Sequence, residues 1–250
     1  MGIVNVTPDS FSDGGLFTDP ARAVSHARRL VAEGADVIDV GGESSRPGAE
    51  PVDTATEVER VIPVIEALAG EVRVSIDTAK AEVAELAIDA GATLLNDITA
   101  SLHPVAAARG VGWVAMHMLG EPRTMQDDPS YHDVVAEVLA HLVERAAEAR
   151  AVGIEEIWLD PGIGFGKTAR HNWELLAAIP EIARAGWPVV VGTSRKAFLG
   201  RLFTDEAALP VDDRLEGSIA TALRAAADGA AMVRVHDVAA TVAALDAVAA

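Results

Sequence analysis

Short apolar runs recur along the chain, and each gives way to a polar or glycine-rich step. The first is Met1-Gly-Ile-Val, which breaks at Asn5 into Val-Thr-Pro-Asp-Ser-Phe-Ser-Asp-Gly-Gly15. Seven more follow the same plan: Asp36–Glu43, Val72–Thr78, Ala92–Ile98, Gly112–His117, Ile157–Gly162, Pro188–Lys196 and Met232–Asp237. Between them the apolar spacing changes to that of amphipathic helices. Val24, Ala27, Leu30 and Val31 share one stripe after an Asp19-Pro20 start. Val58, Val61, Ile62, Ile65 and Leu68 share another. Further helices are expected over 80–90, 103–109, 131–152, 172–185, 215–227 and 238–248, with Pro180 bending or interrupting the 172–185 helix.

Eight strands alternating with helices, with no hairpin signal between strands, require parallel pairing. At 250 residues this predicts a (β/α)₈ TIM barrel, one domain over 1–250, with a doubly wound open sheet as the alternative. In a barrel all eight polar strand endings meet on one face. The candidates gathered there are Asn5, Ser45 with Arg46, Asp77, Asn96, Met116 with His117, Asp160, Ser194 with Lys196, and Arg234 with His236.

Composition narrows what such a face can do. A net charge of -18 argues against broad contact with nucleic acid or anionic membrane. An anionic substrate must then be held by a few local cations. Cysteine is absent, which excludes disulfides and thiolate metal sites. No apolar run approaches the roughly 20 residues of a membrane span, and no basic-then-apolar leader opens the chain, so a cytoplasmic protein is expected. Lysine occurs only at 80, 167 and 196, each just after a predicted strand.

Asp77, Asn96 and Asp160 offer acceptors suited to the donor edge of a planar heterocycle. Arg46, Lys196, Arg234 and His236 supply positive charge for a phosphate or carboxylate. Asn5, with loop residues Asp9 and Asp13, offers hard oxygen ligands of the kind Mg²⁺ prefers. The plainer readings are helix caps at Asp77 and Asp160, a loop cap at Asn96, a buried ion-pair network at Arg234 and His236, a structural His117, and packing roles for Trp113, Trp158, Trp173 and Trp187. The run Asp160-Pro-Gly-Ile-Gly-Phe-Gly-Lys-Thr168 imitates a phosphate loop but has Pro161 where that pattern needs glycine. It is expected to bring backbone close to a flat ligand, with Phe165 and Lys167 beside it.

Seven stretches in order, 5–15, 41–48, 75–78, 96–98, 160–167, 192–196 and 234–237, together resemble the dihydropteroate synthase family from end to end. The resemblance implies an enzyme of folate synthesis that joins a dihydropterin methyl diphosphate to 4-aminobenzoate and releases pyrophosphate. By the family's pattern Asp77, Asn96, Asp160 and Lys196 bind the pterin, with Met116 and Phe165 lining its pocket. Asn5, Arg234 and His236 hold the diphosphate with Mg²⁺, Asn5 as the protein's metal ligand and Ser45 in support. Phe11, Arg46, Pro47, Ser194 and Lys196 surround the aminobenzoate. The catalytic burden falls on Asp160, Lys196, Arg234 and His236. The family pattern further implies sulfonamides as inhibitors, a homodimer, and an extension ahead of the first strand covering the barrel bottom. Residues 7–15 are read as a mobile lid, with Phe11 over the aminobenzoate and Gly14-Gly15 as its hinge. Ser45 stands where many relatives have threonine, which keeps the hydroxyl. A pterin-dependent methyltransferase would share the barrel and the pterin-binding carboxylates, yet would have no diphosphate for Arg234 and His236 to hold. A catalytically silent pterin-binding paralogue is the remaining alternative.

Overall fold

The computed structural model describes residues 1–7, 20–46, 48–201 and 209–249. Phe11, Pro47, Asp9, Asp13 and most of the expected lid lie outside them. All eight expected strands form: β1 (Gly2–Asn5), β2 (Val37–Gly41), β3 (Arg73–Asp77), β4 (Leu94–Asp97), β5 (Gly112–Met116), β6 (Ile157–Asp160), β7 (Val190–Val191) and β8 (Met232–Val233). β1 to β6 pair in sequence order, all parallel, and β7 pairs with β8. Two single bridges close the ring. Leu159 pairs with Val189 between β6 and β7, and Gly2 pairs with Val235 between β8 and β1. The amides of Leu159 and Ile3 bond Pro188 O at 2.9 Å and Val235 O at 3.0 Å. The architecture is a TIM barrel.

Nine α-helices accompany the strands among the described residues: α1 (Pro20–Ala32), α2 (Thr54–Leu68), α3 (Ala81–Asp89), α4 (His103–Arg109), α5 (Val134–Ala151), α6 (Ala169–Ala177), α7 (Ile179–Ala183), α8 (Leu215–Ala227) and α9 (Val238–Ala249). Two helical boundaries differ from the periodicity. α5 starts at Val134 rather than 131, because Asp133 caps it by accepting from Ala136 N at 3.0 Å and Glu137 Oε1 reaches back to the amides of His132 and Asp133. The single helix expected over 172–185 is two. A Thr168–His171 capping box starts α6 early, and Pro180, which cannot supply an interior helical N–H, sits in the first turn of α7. Short 3₁₀ turns at Ala197–Arg201 and Val211–Arg214 were not expected.

Burial follows the strand alternation. Ile38, Val40, Ile76 and Leu95 pack outward against the helices, whose stripes supply Leu30, Val61, Ile65, Leu68 and Leu142. Val37, Leu94, Val114 and Val190 form a separate cluster with Met1, consistent with side chains layered inside the barrel. A third cluster, Ile98, Met116, Met125 and Phe165, lies at the strand C-termini. Register then aligns the polar endings: Asn5 faces Gly41, Gly41 faces Asp77, and Asp77 faces Asn96 across four neighbouring strands. On the far side Met116 is level with Asp160.

Candidate active site

A narrow cavity of about 20 Å³ opens at this C-terminal face, lined by Asp77, Asn96, Ile98, Met116, Asp160, Ile163, Phe165, Gly192, Lys196 and Arg234. One wall is apolar, from Met116, Ile163 and Phe165; the other carries carboxylates, an amide and two cations. A larger cleft of about 320 Å³ adjoins it, sharing Asp77 and Ile98 and lined further by Glu43, Ser45, Thr78, Met118, Glu121 and His141. Ser45 therefore faces the cleft rather than the cavity. Arg46 is exposed at the rim, where its charge is felt by Lys196 and His236.

The plainer readings of the carboxylates do not hold. Asp77 caps no helix: α3 is preceded by Lys80 without a side-chain cap, and Asp77 Oδ2 instead accepts from Arg234 Nη2 at 2.7 Å. Asp160 Oδ1 accepts from Gly162 N at 2.7 Å, a local loop bond, while α6 is capped by Thr168. Asn96 gives its amide Nδ2 to Asp39 Oδ2 at 3.0 Å. Burial pushes the Asp77 carboxyl up to about 7, opposed by the Arg234 guanidinium, and raises Asp160 for the same reason. Burial lowers Lys196 to about 8, with Arg234 adding repulsion, and its Nζ sits 3.9 Å from the centre of the Phe165 ring. Arg234, flanked by Asp39 and Asp77, stays charged.

His236 is held neutral by burial and by Arg195 and Arg234 nearby. Its Nδ1 lies 3.0 Å from Ser194 Oγ, which also accepts from His236 N at 3.1 Å, so the strand endings of β7 and β8 are tied at the site. Between Ser194 and Lys196, Arg195 adopts φ 58, a conformation a non-glycine residue holds only when its surroundings require it. Here they do: Arg195 pairs with Asp237 at 2.6 Å, its N–H bonds Ser218 Oγ and its carbonyl receives Arg214 Nη1. That pins the turn from which Ser194 and Lys196 project.

The glycine run behaves differently from expectation. A Cβ on Gly162, at φ 65, would fall 1.8 Å from His117 O, and one on Gly166 would fall 2.3 Å from Leu119 O. These glycines admit the loop after β5, not a ligand. Lys167 does not flank the cavity. It is buried, and its Nζ is received by His117 Nδ1 at 3.0 Å, His117 O at 3.2 Å and Phe165 O at 2.9 Å. Burial lowers it to about 7 and His117 to about 3. His117 is thus structural, as its solitary position suggested, and Trp113 is packed in the core with its N–H on Asp97.

Two acidic groups behind the site went unread in the sequence, Asp39 and Glu57; Lys80, noted there only as one of three lysines that follow strands, is the partner of Glu57. Glu57 is fully buried; its Oε1 receives Thr78 Oγ1 at 2.7 Å and its Oε2 receives Lys80 Nζ, which also pairs with Glu43. The available signal was an acidic residue inside an apolar pattern, Val37-Ile-Asp-Val40 for Asp39 and the buried face of α2 for Glu57. Asn5, at the end of β1, stands beside Gly41, where a Cβ would lie 3.7 Å from Asn5 Oδ1. No cluster of three His, Asp or Glu side chains able to hold a metal occurs among the described residues.

Comparison with known proteins gives one family. Residues 1–236 match the pterin binding enzyme family. The dihydropteroate synthase of Escherichia coli (strain K12) is 47% identical over 253 residues, covering 98% of this chain and 88% of that protein. Yersinia pestis dihydropteroate synthase, solved with a sulfonamide drug, superposes with a TM-score of 0.94 at 43% identity, covering 100% of this chain and 92% of that one. The Xanthomonas albilineans dihydropteroate synthase complexed with 7,8-dihydropteroate gives 0.87 at 45% identity, covering 100% and 91%.

Proposed function

The chain belongs to the pterin-binding enzymes and, among them, to the dihydropteroate synthases, and from that premise we infer how its residues divide the work. It is a transferase that joins (7,8-dihydropterin-6-yl)methyl diphosphate to 4-aminobenzoate, giving 7,8-dihydropteroate and pyrophosphate. The observation that carries the reading of the site is the cavity itself, which Asp77, Asn96 and Asp160 line together beside Lys196 and Arg234.

In this reading the pterin lies between the Met116 and Phe165 side chains and the acceptor wall, its N–H edge on Asp77, Asn96 and Asp160. Lys196 meets the ring's carbonyl side. The methylene carbon–oxygen bond breaks and its electron pair leaves with the diphosphate. The arylamine nitrogen then forms the new bond and releases its proton to solvent. Asp160 stabilises the positive charge that develops on the pterin, and Arg234 and His236 take the departing diphosphate, His236 as a neutral imidazole donor. Ser45, Arg46 and Ser194 flank the aminobenzoate end, with Phe11 and Pro47 assigned there by the family pattern.

Mg²⁺ would neutralise the leaving diphosphate, with Asn5 as the protein oxygen ligand and substrate oxygens and water completing its shell. The donor set fits that role: one amide oxygen at the rim suits an ion that arrives with its substrate, not one caged by protein. We also read the chain as a single cytoplasmic domain working as a homodimer; among the described residues no helix is long and apolar enough to cross a membrane.

Purified protein should release pyrophosphate only when both substrates and Mg²⁺ are present, and a sulfonamide should compete with 4-aminobenzoate. Absence of release with both substrates at saturating concentration would remove the reading. Asp160→Asn should bind the pterin at least tenfold more weakly without unfolding, and unchanged affinity would leave Asp160 as a loop residue only.

A further inference from the structure

The acceptor wall is assembled by a residue that does not touch the cavity. Asp39, in the middle of β2, is fully buried and absent from the cavity lining. Its Oδ2 accepts from Arg234 Nε at 2.6 Å and from Asn96 Nδ2 at 3.0 Å. Arg234 in turn donates Nη2 to Asp77 Oδ2 at 2.7 Å. Two lining residues, from β4 and the end of β8, thus converge on one buried carboxylate, and the second of them ties in Asp77 of β3.

The chemistry of that contact fixes the direction of an otherwise ambiguous side chain. An amide carries a donor and an acceptor on opposite arms, and electron density or packing alone rarely separates them. A carboxylate paired with a guanidinium only accepts, so the arm of Asn96 turned to Asp39 must be the NH₂. The carbonyl oxygen is then the arm left for the cavity. We propose that Asp39 is a positioning residue for pterin recognition: it turns Asn96 so that its carbonyl faces the ring, so that Asp77, Asn96 and Asp160 all present acceptors, and it holds the Arg234 guanidinium plane beside them. Such a wall favours a ring edge bearing N–H donors and rejects one bearing oxygens, because two acceptors left facing each other in a buried site lose the hydrogen bond and keep the desolvation cost.

The proposal rests on the pterin reading of the cavity, and binding measured apart from turnover keeps the two separable. The probe is a dihydropterin alcohol without diphosphate, titrated calorimetrically into native protein, Asp39→Asn, Asn96→Ala and the double variant. Asp39→Asn should weaken binding at least tenfold and raise the KM for the pterin diphosphate, while the KM for 4-aminobenzoate stays within threefold. If Asp39 acts through Asn96, the two losses are not independent: Asn96→Ala should cost at least fivefold less in the Asp39→Asn background than alone. Additive losses, or equal rises in both KM values, would make Asp39 merely structural and overturn the proposal. Should Asp39→Asn fail to fold, Asn96→Asp reads the same contact, since it keeps an acceptor toward the cavity but sets a carboxylate against Asp39. A tenfold loss of affinity is expected, and unchanged affinity overturns the orientation argument. A native chain that does not bind the dihydropterin would overturn the pterin reading, and this proposal with it.

Discussion

Burial sets the charge state of the site one side chain at a time. Asp77 is pushed up to about 7 by burial and Lys196 down to about 8, so one loses its acceptor role in mild acid and the other its charge in mild base. Dihydropterin affinity should therefore peak between about 7 and 8 and fall on both sides, as a calorimetric pH series can show; a flat profile from 6 to 9 would contradict it. The linked effect on stability has a definite sign. The folded chain binds the Asp77 proton more tightly than the unfolded chain, whose value is near 3.8, so this group lowers stability as pH rises from there to about 7. Sequence reading found the side chains that end strands, because a polar residue closing an apolar run advertises itself. It missed Asp39 and Glu57, which sit inside elements and whose partners, Arg234 and Lys80, are remote in the chain.

At the scale of elements, all eight strands were legible, since strands buried on both faces read as unbroken apolar runs. Helix ends were less so. Where α5 and α6 begin is decided by side-chain caps at Asp133 and Thr168, and periodicity carries no record of them. The β2–α2 connection shows a similar local decision. Glu57 on α2 is tied to Thr78 and Lys80 after β3, and Lys80 also holds Glu43, two residues before Ser45. Gly42 lets α2 come this close: a Cβ there would fall 2.7 Å from Val61 Cγ1 and 2.9 Å from Glu57 Cγ. Lys80→Met leaves Glu57 buried without its cation and should cost roughly 3 kcal/mol in urea unfolding. The same variant should raise the KM for 4-aminobenzoate more than that for the pterin diphosphate, because the segment it frees carries Ser45 and Arg46.

At the scale of the molecule, the charge is distributed against the average. The chain carries -18 overall, yet Arg46, Arg195, Lys196 and Arg234 gather at one end of the barrel. Asp39, Asp77, Asp160 and Asp237 stand among these cations, so this end is close to balanced while the rest of the surface is strongly anionic, and an anionic substrate meets least repulsion there. The opposite concern is association. α8 and α9 pack side by side late in the chain, and the homodimer is carried by the family pattern. Light scattering at micromolar concentration should return twice the 26.0 kDa chain mass, and a monomer mass would remove the homodimer.

The scarcity of lysine has a practical outcome. Lys80 is paired to two carboxylates, and Lys167, although its amine sheds its proton near 7, is only 3% exposed and enclosed by three acceptors, whereas Lys196 lines the cavity with an amine that sheds its proton near 8. Amine-acylating reagents need the unprotonated form. In mildly alkaline buffer they will single out Lys196 among the lysines, and the rate of its modification becomes a footprint of ligand occupancy, legible by peptide mass without any turnover assay.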